Sequence, residues 1–120
     1  MAEASDAWSA ALGRPSRGLY GSDFMVEVLR ALGIRYIALN PGASYRGLHD
    51  SLVNFGPGEP PEIILCTHEE IAVALANGYT RATGEPMATG LHNVVGLLHA
   101  SMAIFNAWCD RTPMLNLGGG

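Results

Sequence analysis

Lysine is absent from the 120-residue chain: all seven basic residues are arginines, scattered among eleven Asp and Glu for a net charge of −4. A nucleotide-binding P-loop needs the lysine of GxxxxGK[ST], so that class is excluded. Without a basic cluster there is no nucleic-acid footprint, and no nucleic acid is expected as a partner. Long apolar runs are missing too. None approaches the ~20 residues of a membrane span, and residues 1–20 lack the charged start and apolar stretch of a signal peptide. The expected location is therefore the cytoplasm, away from any membrane. Cys66 and Cys109 stand far apart in apolar surroundings, with neither CxxC spacing nor a disulfide framework, and are read as reduced, buried thiols. No GxGxxG follows a strand. His68-Glu69 lacks the second histidine of a zincin, because residue 72 is Ala, and no metal-ligand set is read from this chain.

What remains is a chain with 48% hydrophobic residues, 15 Gly and 7 Pro, the composition of one small globular domain or of a piece of a larger one. Residues 1–20, rich in Ala, Ser and Gly and without a sustained period, read as a flexible leader. A helix is predicted over 22–32, with Ser22 as cap, Phe24, Val28, Leu29 and Leu32 at helical spacing and Gly33 at its end. A strand over 35–39, the turn Asn40-Pro41-Gly42 and a helix over 45–53 follow, then a Gly/Pro loop over 55–61. The uninterrupted apolar run 63–66 predicts a strand covered on both faces. After it come a helix over 68–83 stopped by Gly84, a strand over 87–91, a helix over 95–108 and a strand over 113–117.

Strands alternating with helices through short connections predict a three-layer α/β domain: a doubly wound parallel sheet with helices on both faces. Ligands bind such sheets beyond the carboxyl ends of the strands. That singles out three loops, 40–45, 66–70 and 92–96. The last strand reads as central although only Gly118-Gly119-Gly120 follows it, so 21–120 is expected to be the amino-terminal portion of a domain incomplete at its carboxyl end.

Thr67 and Glu70 have the spacing of a capping box, which gives Glu70 a structural task. Glu69 is left over in the first helical turn at the end of a buried strand; it either compensates the helix dipole or serves a ligand. Ala72, Ala74, Ala76 and Gly78 make the helix slim and fit for close packing. His49 and His99 fall inside helices, whereas His92 directly follows a strand and is the histidine placed to touch a ligand.

These elements, taken in order, resemble the amino-terminal pyrimidine-binding domain of the thiamine-diphosphate enzymes of the acetolactate synthase, pyruvate decarboxylase and benzoylformate decarboxylase superfamily. The resemblance runs over residues 21–119 and rests on the helix before the first strand, on Asn40-Pro41-Gly42, on His68-Glu69 with Ala72, on Ala-Asn-Gly-Tyr-Thr-Arg-Ala-Thr-Gly84, and on Arg111-Thr-Pro-Met-Leu115. It implies that Glu69 hydrogen-bonds ring nitrogen N1′ of the cofactor's aminopyrimidine, which promotes the tautomer that deprotonates the thiazolium carbon. Pro41 and Gly42 would line the cofactor.

Asn40-Pro41-Gly42 and Leu91-His92 look more like the benzoylformate decarboxylase branch, since the Ser-Gly-Pro-Gly type loop usual in acetolactate synthases is absent near residue 92. In that branch a histidine matching His92 shuttles protons and a serine follows Asn-Pro-Gly. Here Ala43 takes the serine's place and Ser44 comes one residue later. Asn40, Ala43, Ser44, His92 and Asn93 are the expected substrate pocket. The resemblance further implies a complete protein that is a lyase or transferase acting on 2-oxo acids, either a decarboxylase or a carboligase. Mg2+ and the diphosphate would be bound outside this chain, by the rest of its own polypeptide or by a separate subunit. Assembly would be as a homodimer or homotetramer, and residues 1–120 alone would be inactive. The contrasting expectation is a noncatalytic oligomerising or regulatory module that keeps the fold.

Overall fold

The computed structural model describes residues 20–55, 59 and 61–119. The expected leader, except for Tyr20, and most of the Gly/Pro loop lie outside the described residues. The elements are α1 (Gly21–Ala31), β1 (Tyr36–Leu39), a 3-10 turn (Ala43–Tyr45), α2 (Arg46–Asn54), β2 (Glu62–Leu65), α3 (Glu69–Thr83), β3 (Met87–His92), α4 (Asn93–Cys109) and β4 (Met114–Gly119). All strand pairs are parallel in the order β2-β1-β3-β4, with Leu39 level with Leu65 on one side and Gly90 on the other. The chain steps one way from β1 to β2 and then crosses back to β3. The sheet's switch point thus opens between the carboxyl ends of β1 and β3, where ligands bind in sheets of this kind.

Alternation along the strands divides the core. Ile37 and Leu39 of β1 point to one face with Val26 and Leu29 of α1 and Leu48 and Leu52 of α2. Ala38 and Met87 point to the other, against Ala72 and Ala76 of α3, while Leu91 meets Val73, Ala100 and Ala103 between α3 and α4. Each large side chain removed from water here stabilises the fold by roughly 1.5–3 kcal/mol. The one polar side chain wholly buried in β3, Thr89, donates to Asn116 Oδ1 of β4 at 2.7 Å, so its burial is compensated.

Four local expectations change. Helix α1 turns Val26 and Leu29 inward and leaves Phe24, Val28 and Leu32 exposed, because it has apolar residues on two faces and Val26 and Leu29 sit over β1. Its start is held by Asp23, which accepts from Tyr20 N–H at 2.9 Å, while Ser22 accepts from Ser51 Oγ at 2.8 Å and ties α1 to α2. Strand β2 is an edge strand within the described sheet, with Leu65 67% exposed, so its apolar run is not covered on both faces. Cys66 is buried but Cys109 is exposed; both are free thiols, and burial pushes the Cys66 thiol up in pKa. Among the described residues no helix is long and apolar enough to cross a membrane.

Two glycines of α3 should respond oppositely to alanine. Gly78 lies inside the helix with open space around it, whereas Gly84 closes it at φ +78°, which alanine adopts only with strain. Chemical denaturation should show Gly78→Ala more stable by roughly 0.5–1 kcal/mol and Gly84→Ala less stable by about 1 kcal/mol.

Candidate active site

The segment after β1 folds back over the sheet end. Tyr45 donates its hydroxyl to the Asn40 carbonyl, closing the loop on itself. Its ring passes over Gly90 of β3, where a Cβ would lie 3.7 Å from Tyr45 Cζ and 3.0 Å from Leu39 Cβ. Burial, with the charge of Glu69 adding to it, pushes the Tyr45 phenol up to about 12. The phenol therefore remains a neutral donor at any ordinary pH.

His92, the last residue of β3, meets this loop. Its Nδ1 and Ser44 Oγ are 2.9 Å apart and share a hydrogen bond, and its ring stands edge-on to Tyr45 with centroids 6.4 Å apart. The contact requires Gly42, since a Cβ there would sit 2.3 Å from His92 Cγ. Gly119 at the end of β4 closes on the same serine, where a Cβ would be 2.4 Å from Ser44 Oγ. A cavity of about 300 Å3 opens beside them, lined by Ser44, Tyr45, Met25, Leu117 and Gly119 among others.

Glu69 is the first residue of α3 and is buried, 6% exposed. The helix cap is His68, whose ring accepts from Glu70 N–H at 3.3 Å; Thr67 does not cap, and Glu70 is exposed. The Glu69 carboxylate lies against Gly96 of α4, where a Cβ would come within 2.8 Å of Oε1. Among the described residues no donor reaches it, and its oxygens keep contact with solvent and are not sealed in the core. It is therefore an acceptor available to a ligand at the switch point, linked to the His92 and Ser44 side through Tyr45.

Of the residues singled out in the sequence, Gly42, Ser44 and His92 are brought into contact, and Glu69 acts on their neighbour Tyr45. Asn40 contributes its carbonyl to the loop. Asn93 is exposed at φ +57°, its Oδ1 taken by Val94 N–H at 2.6 Å, and Pro41 and Ala43 are exposed at the rim. Sequence reasoning missed Tyr45, Gly96 and Gly119. Their contacts come from loops that meet only in the folded sheet, and the one available signal was that 45 and 96 end two of the three loops already singled out.

The family model "Thiamine pyrophosphate enzyme, N-terminal TPP binding domain" matches residues 19–120. The chain belongs to that family. The domain is 32% identical over 101 residues to the acetolactate synthase large subunit of Haemophilus influenzae, covering 84% of this chain and 17% of that protein. It is 31% identical over 94 residues to the benzoylformate decarboxylase of Pseudomonas aeruginosa, covering 78% and 17%. Its fold matches the crystal structure of benzoylformate decarboxylase from Polynucleobacter necessarius with a TM-score of 0.69 at 22% identity, over 84% of this chain and 18% of that one. The chain thus spans about a sixth of the length of these curated relatives.

The high Tyr45 pKa carries a stability consequence. A phenol at about 12 when folded and near 10 when unfolded favours the folded state below pH 10, and that contribution is lost as pH rises through 12. Melting curves should show this TPP binding domain losing stability between pH 10 and 12, with a flatter profile for Tyr45→Phe in that window.

Proposed function

We propose that this domain binds the aminopyrimidine of thiamine diphosphate and activates it through Glu69, within a complete enzyme acting on 2-oxo acids. The observation that carries the reading is the buried Glu69 carboxylate at the switch point, lacking a protein donor among the described residues. Ring nitrogen N1′ of the aminopyrimidine is a group that can share a proton with it through a charge-assisted hydrogen bond. Bound thiamine diphosphate supplies a carbanionic thiazolium carbon that adds to a carbonyl and an electron sink for the bond then broken.

This chain's residues do the rest. Glu69 holds the proton at N1′. His92, oriented by Ser44, is placed to hold or pass a proton at the substrate's oxygen, so Ser44 takes up a position beside His92 that Ala43 has no group to fill. Pro41 and Gly42 line the cofactor, and Gly42 keeps the backbone thin where His92 approaches. Asn40, Ala43 and Asn93 border the substrate.

The diphosphate and its Mg2+ are assigned to a region outside this chain, on the rest of its polypeptide or on a separate subunit, so residues 1–120 alone should be inactive. A partner, in a dimer or tetramer, is supported by α4, which carries no charged residue and exposes Val94, Leu98, Met102 and Phe105 in a row at helical spacing.

The test needs no knowledge of the substrate. In the complete protein with thiamine diphosphate and Mg2+, deuterium exchange at the cofactor's C2 reports activation directly. Glu69→Gln should slow it by about 10²-fold or more, the usual worth of a positioned acid or base. Equal exchange in the variant would remove the role given to Glu69 and favour the noncatalytic module. Ser44→Ala should leave that exchange within about twofold while lowering turnover of 2-oxo acids by roughly tenfold, because it removes the partner that orients His92 and not Glu69.

A further inference from the structure

His68 and His99 form a pair that the reading above does not use. His68 Nδ1 accepts the Glu70 amide hydrogen. A ring nitrogen that accepts carries no proton, so neutral His68 holds its hydrogen on Nε2. That nitrogen lies 2.6 Å from His99 Nδ1, with ring centroids 4.6 Å apart. His68 Nε2–H therefore donates, His99 Nδ1 accepts, and the hydrogen of His99 is left on Nε2. The chain from the Glu70 amide through both rings runs in one direction only and exists only while both rings are neutral.

The pair stands beside the Glu69 carboxylate. His99 lies one turn along α4 from Gly96, on the same face of that helix. This face meets the first turn of α3 at two successive residues, His99 on His68 and Gly96 against the carboxylate of Glu69. We infer that the His68–His99 bond is a positioning device that sets the depth of Glu69. The inference rests on the role proposed for Glu69.

The first measurement is two-bond 15N–1H NMR of the histidine rings in the complete protein without cofactor. It should show the Nε2–H form for both rings at neutral pH, with His68 Nδ1 as the acceptor of the Glu70 amide. A His68 that carries its proton on Nδ1 would overturn the inference. The second is the rate of C2 deuterium exchange on bound thiamine diphosphate. His99→Phe, which keeps the ring shape without the nitrogens, should slow exchange by about tenfold, since small misplacements of a reacting group cost up to ~10²-fold. An unchanged rate in that variant would overturn the positioning role. The two readings fail separately: the ring tautomers do not depend on what Glu69 does, and Glu69→Gln tests its role without reference to the pair.

Discussion

The close approach of α3 to the inner strands governs where the functional groups lie. Ala72 and Ala76 present almost nothing beyond the backbone to Ala38 and Met87, so the helix meets β1 and β3 through small residues of its own and Met87 of β3 fills the contact. Its first turn arrives at the carboxyl end of the sheet, in the crevice where the connections diverge. There the Glu69 carboxylate is inserted beside Gly96, at a distance a Cβ would forbid. A bulkier residue at 72 or 76 would lift α3 from the sheet and withdraw the carboxylate.

The opposite wall follows the same rule of small residues at contact points. Gly42 admits the ring of His92, Gly90 lies beneath Tyr45, and Gly119 closes on Ser44. These contacts join three loops that are remote in sequence. Tyr45 links the halves, since its hydroxyl holds Asn40, its ring meets His92, and its phenol feels the charge of Glu69. The crevice therefore holds a carboxylate on one side and an imidazole with its hydroxyl partner on the other. On the function proposed above, the carboxylate serves the cofactor and the imidazole the substrate.

Much of this was legible in the sequence, because the alternation of apolar segments with Gly and Pro punctuation follows from how parallel strands must be connected. Asn40-Pro41-Gly42 and His92 could be singled out because each directly follows a predicted strand, and Glu69 because it is the carboxylate left over in the first helical turn beyond one. Other features depend on tertiary context. The capping group of α3 is the His68 ring and not Thr67, since the helix begins one residue later than its capping-box pattern suggests. The inward face of α1 is Val26 and Leu29 because two apolar faces compete and the sheet selects one. The apolar run of β2 resembles a central strand although it lies at an edge of the described sheet. Gly96 and Gly119 act through side chains they lack, which no local pattern reports.

The central claim is that the Glu69 carboxylate, left without a donor by the described residues, is completed by the cofactor's pyrimidine ring. A crystal structure of the complete protein with thiamine diphosphate and Mg2+ tests it most directly. The account expects a Glu69 carboxylate oxygen within about 2.9 Å of N1′, the length of a charge-assisted bond. A Glu69 bonded instead to another protein group, with N1′ facing a different donor or acceptor, would contradict it.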